Sequence, residues 1–192
     1  MATRRLGTET AKTRYVLLDA AESLMRESGY AAVTSRRLAA QAGCKPQLVH
    51  YYFRTMDDLF IALFRRIADA IFARQAQALA DPQPLGVLWE LMSDPADVVL
   101  HHEFIALANH RKPLRAEIAA FGQQYRANQQ EILARAVPAG SPVSPPALAV
   151  IGELVARGMV LERALGMDAG HAEAATAVAA LLAALADTAP PR

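Results

Sequence analysis

The chain is short of the residues that define several whole classes of protein. It holds one cysteine, Cys44, which excludes an internal disulfide framework and a cysteine-based zinc site. Aromatic residues are only 6% of the total. The longest apolar run, Ala177 to Ala186, is far below the roughly 20 residues that span a bilayer. Basic residues at the start, Met1-Ala-Thr-Arg-Arg, have no apolar stretch behind them, so no signal peptide is expected. No segment alternates apolar and polar residues at period two, and there is no internal repeat, which leaves β architectures without support. A Gly-x-Ser-x-Gly elbow, a phosphate-binding glycine loop and an HExxH pair are all missing, so the chain is not expected to be an enzyme. The expectation is a soluble, cytoplasmic protein with no membrane partner and no cofactor.

What is present is helix-forming material. Hydrophobic residues make up 53% of the 192, and 41 are alanine, the strongest helix former. The length suits one domain of ordinary size or two small ones. The net charge of +1 hides an asymmetry: residues 1–66 carry 11 basic and 6 acidic side chains, whereas residues 67–192 carry 9 and 13. A basic head on a mildly acidic body points to a polyanionic partner for the head.

Periodicity predicts an all-α chain of roughly nine helices. Val16, Leu17, Ala20, Ala21, Leu24 and Met25 form one stripe of a helix from about Thr8 to Ser28, which Gly29 caps. Thr34-Ser35 offers a capping hydroxyl to a short helix from Arg36 to Ala42, and Gly43 ends it. Pro46 suits the first turn of the next, Pro46 to Phe53. Thr55 can cap a long helix from about Met56 to Ala80, with Asp57 and Asp58 well placed in its first turn. Punctuation then separates helices at about 85–92, 95–109, 113–136, 147–165 and 172–186, and residues 138–146 form a Pro-rich loop.

Helices joined by a tight glycine-containing turn near the N-terminus form the pattern of a helix-turn-helix, whose second helix lies in the DNA major groove. The residues that would face base edges are Lys45, Pro46, Gln47 and Leu48, with Tyr51 one turn on. Gln47 has the amide geometry for bidentate bonds to adenine, and Leu48 can touch a thymine methyl. Arg36 can reach a phosphate or a guanine. Thr34 and the backbone N–H groups behind it can hold a phosphate. Phe53 is expected in the core, facing the first helix, and Cys44 as a small buried filler of the turn. For His50, groove contact and packing stand level.

The run Thr34-Ser-Arg-Arg-Leu-Ala-Ala-Gln-Ala-Gly43, followed by Leu48-Val-His-Tyr-Tyr-Phe53 and Asp57-Asp58-Leu59, resembles the DNA-binding domain of TetR/AcrR-type transcriptional regulators. The resemblance covers roughly residues 9–60. It implies base or groove contacts by Arg36, Gln47, Leu48 and Tyr51, and phosphate contacts by Thr34, Ser35, Lys45 and Tyr52. Three positions depart from the common pattern. Lys45 stands where Ser or Thr usually caps the recognition helix, His50 replaces a more usual tyrosine, and Met56 replaces a lysine that commonly meets phosphate. The last change can shift that load to Arg54. The implied organisation is a helix-turn-helix domain over residues 1–55 and a helical ligand-binding and dimerisation domain over 56–192.

The resemblance further implies a one-component regulator, most often a repressor, that binds a pseudo-palindromic double-stranded operator as a homodimer and is released by a small apolar or amphipathic effector. Candidate effector-lining residues are Trp89, Met92, His101, His102, Phe104, Ile105, Asn109, Phe121, Tyr125 and Met159, apolar groups with a few polar ones among them. His101, His102 and Glu103 do not form a metal site, because neighbours on a helix point about 100° apart. His102 and His110 can share one side but lack a third ligand, so no metal is expected. The last two helices, with Leu148, Ile151, Leu154, Val155, Met159 and Leu161 on one and an alanine-rich face on the other, would pair two copies through four helices. The competing reading is a helical ligand carrier, adaptor or enzyme whose N-terminal helices only pack. Steep salt dependence of DNA binding separates the two.

Overall fold

The computed structural model describes residues 2–138 and 140–187, with side chains over 12–138 and 140–185. Among the described residues there are nine α-helices, one 3-10 turn and no strand. The helices are α1 Ala2–Ser28, α2 Ser35–Gln41, α3 Pro46–Tyr52, α4 Met56–Ala78, α5 Pro84–Ser93, α6 Pro95–Ala108, α7 Lys112–Ala136, α8 Pro145–Ala164 and α9 His171–Asp187, with the 3-10 turn at Tyr30–Ala32. The all-α reading holds. α1 starts at Ala2, earlier than the Thr8 that its apolar stripe suggests, since a helix continues past the residues it buries. No helix among the described residues is long and apolar enough to cross a membrane.

The chain divides into two compact units. One comprises residues 1–68 and 100–118, the other residues 69–99 and 119–192. In the first, α1 packs on α2 and α2 on α3. Leu17, Leu24, Leu38, Val49, Leu59 and Leu63 are buried there. Phe64 meets Phe104 edge-on, ring centroids 5.2 Å apart. Glu103 is the polar anchor of this unit: its carboxylate accepts the Tyr30 N–H at 2.7 Å, at the start of the 3-10 turn. Gly29 precedes that turn at φ +76°, which favours glycine, and a Cβ there would lie 3.2 Å from the Glu103 Oε2 and press that carboxylate to shift by a few tenths of an ångström.

In the second unit α5 packs on α8 and on α9. Leu85, Leu88, Met92, Leu133, Ala149 and Ala156 belong to its core. Several polar groups are buried here with partners. Gln75 donates to the Tyr125 carbonyl at 3.3 Å and accepts from the Asn128 amide at 3.0 Å. Glu153, buried on α8, is held by Arg126 at 2.6 Å and by Arg157 at 2.8 Å. Two guanidiniums on one carboxylate offset the desolvation that a lone buried charge would suffer. Burial pushes the Tyr125 phenol up to about 12, and the Glu153 negative charge adds to that shift.

Candidate nucleic-acid interface

The geometry of α2 and α3 follows from a few local choices. Thr34 is extended, and its Oγ1 accepts the Arg37 N–H at 3.3 Å, which satisfies one of the first free donors of α2. α2 ends through Ala42 N–H to Leu38 O at 2.9 Å, and Gly43 then turns left-handed at φ +64°. The Cys44 N–H reaches back to Ala39 O at 2.9 Å. Cys44 is half-buried rather than the buried filler expected of it, because the turn it occupies lies at the surface. Lys45 makes no side-chain cap, and Pro46 opens α3 where a missing N–H costs nothing.

α3 splits cleanly by face. Val49 is buried, as is Phe53 just past its end, and the Arg14 guanidinium of α1 lies 5.2 Å from the Phe53 ring centroid. Phe53 therefore faces the first helix, as expected. Pro46, Gln47, Leu48, His50 and Tyr51 point outward, with Tyr51 74% exposed. Tyr52 is half-buried and meets the Tyr51 ring edge-on, centroids 5.1 Å apart. Thr34 and Arg36 are exposed at the start of α2, and Ser35 is half-buried. All ten residues anticipated for DNA contact thus have accessible surface, and His50 projects outward instead of packing.

The surface is cationic by exclusion as much as by content. No Asp or Glu occurs between Ser28 and Met56, whereas Arg36, Arg37, Lys45 and Arg54 do, all four exposed. The next acids along the chain are committed elsewhere. Asp58 and Thr55 exchange backbone N–H groups, Thr55 N–H to Asp58 at 3.0 Å and Asp58 N–H to the Thr55 hydroxyl at 3.1 Å, a reciprocal cap on α4. Asp57 is paired with Arg111. An exposed helix rich in hydrogen-bonding and aromatic side chains, presented on an acid-free segment, has the chemistry to meet base edges and phosphates together.

With that arrangement in view, residues 17–63 match the family described as bacterial regulatory proteins, tetR family. Over that stretch the chain is similar to the TetR family. The HTH-type transcriptional regulator BetI of Rhizobium meliloti (strain 1021) is 35% identical over 79 residues. That match spans 38% of this chain and 38% of the length of BetI. A TetR transcription regulator from Haloarcula marismortui superposes with a TM-score of 0.73 at 18% identity, covering 90% of this chain and 96% of that one. A protein from Saccharomonospora viridis, solved in complex with choline, superposes at 0.70 with 17% identity over 79% of this chain and 85% of its own. At these identities the solved structures establish the shared fold.

The second unit holds a different kind of site. A cavity of about 190 Å³ lies between α5, α8 and α9, with Leu133 of α7 in its wall. Trp89 and Met92, both anticipated as effector-lining, do line it. Phe121, Tyr125 and Met159 belong to the same unit but not to this wall, Phe121 and Tyr125 being stacked on each other at 5.5 Å. His101, His102, Phe104, Ile105 and Asn109 lie in the other unit, where Phe104 is core and Ile105 and Asn109 are exposed. The wall residues that sequence reasoning missed include Leu85, Leu88, Ala149, Gly152, Leu182 and Leu185. The signal for two of them was the small-residue pair Ala149 and Gly152, three apart on α8, which leaves room where two helices meet. Ile151, Val155 and Leu181 line the cavity and are also exposed, Ile151 at 54% and Leu181 at 53%, so they form its rim. Leu154 is 65% exposed beside them on α8.

Proposed function

We propose that this protein is a transcriptional repressor that binds double-stranded operator DNA as a homodimer and is released by a small apolar or amphipathic effector. The observation that carries the reading is the outward face of α3 on an acid-free, four-cation segment. Residues 1–55 read DNA. Arg36, Gln47, Leu48 and Tyr51 meet bases or groove, while Thr34, Ser35, Lys45 and Tyr52 hold the backbone, and Pro46 and His50 lie against the same groove. Residues 56–192 bind the effector and pair the copies. The exposed leucine and isoleucine of α8 support pairing through the last two helices, since two copies would bury apolar surface that one leaves in water. A two-fold dimer then reads a two-fold operator. The protein acts where its DNA is, in the cytoplasm.

The effector acts by linkage, favouring a conformer that binds DNA poorly and being itself bound less well when DNA is present. The S. viridis protein carries choline. For this chain an uncharged effector is the better reading, because no carboxylate among the described residues lines the cavity to meet a cation. Selection of binding sites from random double-stranded DNA with the purified protein tests the proposal. An enriched pseudo-palindrome, bound with a steep salt dependence, is the expected result. Folded protein that enriches nothing and binds DNA without salt dependence would leave the helix-turn-helix as packing alone.

A further inference from the structure

The cavity between α5, α8 and α9 has walls of an unusual uniformity. Every described residue lining it is apolar, and among them the Trp89 indole N–H is the one side-chain donor. A charged or strongly polar ligand would lose its water and find no partner. The volume, about 190 Å³, exceeds the ~150 Å³ at which an apolar protein cavity stays dry and takes up benzene or xenon. Small residues create the space. Ala149 and Gly152 form part of the α8 wall, and a Cβ at Gly152 would already approach the Met92 Cε to 3.3 Å.

The rim is where the cavity and the outer surface meet. Ile151, Val155 and Leu181 belong to both, and Leu154 protrudes beside them. This rim lies on the same two helices that the homodimer would use. We propose that the cavity binds a small uncharged apolar molecule, about the size of one substituted benzene ring, and that a second copy of the chain seated on the rim roofs it. The proposal rests on the effector-responsive homodimer described above and identifies its ligand class and its regulation. In a two-fold pairing each copy covers the cavity of the other. A ligand enclosed in this way touches both copies, so it tightens the dimer, and the dimer tightens the ligand by the same factor.

Trp89 is the only tryptophan in the chain and it stands in the cavity wall, so its emission reports occupancy directly. Bromobenzene, an apolar heavy-atom quencher, serves as the probe. It is titrated against the full chain at protein concentrations below and above the dimer dissociation constant found by sedimentation. The expected result is saturable quenching with a midpoint at least about fivefold lower in the dimer, and a fall in the dimer dissociation constant at saturating bromobenzene by the square of that factor, about 25-fold, because each dimer holds two molecules. Val178→Phe, which fills the cavity from α9, and Leu182→Phe as a second filler should abolish saturation while far-ultraviolet circular dichroism stays unchanged. Linear quenching indistinguishable from that of free tryptophan overturns the ligand site, even in a protein that dimerises and binds operator normally. Equal midpoints in monomer and dimer overturn the roof. A chain that sediments as a monomer at every concentration and binds no operator overturns the underlying regulator reading, and that is seen without any probe.

Discussion

Tyr51 and Gly43 show how single residues divide between function and fold. Tyr51 is 74% exposed and meets the Tyr52 ring edge-on, so little of the folded state depends on it. Tyr51→Ala is expected to weaken operator binding by about 1–3 kcal/mol in a fluorescence anisotropy titration, with the thermal midpoint unchanged. Gly43 is the opposite case. It sits at φ +64°, and a methyl group added there would have nothing within 4 Å, so the whole effect of Gly43→Ala is backbone strain. A loss of about 1–2 kcal/mol in urea denaturation is expected, and Gly43→Asn should recover part of it, because Asn tolerates the left-handed region. Sequence alone leaves His50 level between groove and packing, and it puts Cys44 deeper than the structure does. Their exposure depends on which side of a short helix or turn meets the core, which neighbouring elements decide.

Elements are joined here by groups whose partners lie far along the chain. Glu103 of α6 accepts the Tyr30 N–H across 73 positions, and in the sequence it stands out only as a metal-ligand candidate beside His101 and His102. Glu103→Ala leaves a part-buried donor without its acceptor and should destabilise the protein by about 1–3 kcal/mol, with Glu103→Gln losing less, as read by chemical denaturation. Tyr125 of α7 makes the corresponding point in the second unit. Its phenol is raised from the usual 10 to about 12, chiefly by burial and then by the Glu153 charge. Below pH 10 the phenol is protonated in both folded and unfolded chains, and its contribution is fully present. Between about pH 10 and 12 only the unfolded chain ionises, so stability falls across that window. The unfolding free energy of the native protein in urea should fall from pH 9 to pH 11.5 by about 2 kcal/mol more than that of Tyr125→Phe, since roughly 1.5 pH units of that range lie above the unfolded value at about 1.36 kcal/mol per unit.

For the whole molecule, the consequential surface is the apolar rim on α8 and α9. Leu154 is 65% exposed in the single chain, so Leu154→Glu should leave helix content unchanged in circular dichroism. It is expected to raise the dimer dissociation constant by roughly tenfold or more in sedimentation equilibrium, since a carboxylate would be desolvated at the centre of the interface, and to weaken operator binding in parallel. What the amino-acid sequence determined unaided is everything governed by near neighbours. Helix periodicity, Thr34 and Thr55 as caps, Pro46 as a first-turn residue, Gly29 and Gly43 as left-handed turns, and the motif from Thr34 to Leu59 all depend on residues a few positions apart. Of the residues read from the sequence as candidates to line an effector site, only Trp89 and Met92 stand in the cavity wall. The remaining wall, from Leu85 to Leu185, and the distant partnerships of Glu103, Gln75 and Glu153 were decided by tertiary structure. A cavity is the space left when separate helices meet, and its walls are set by crossing geometry and by side-chain volumes such as Ala149 and Gly152. No local pattern encodes either of these.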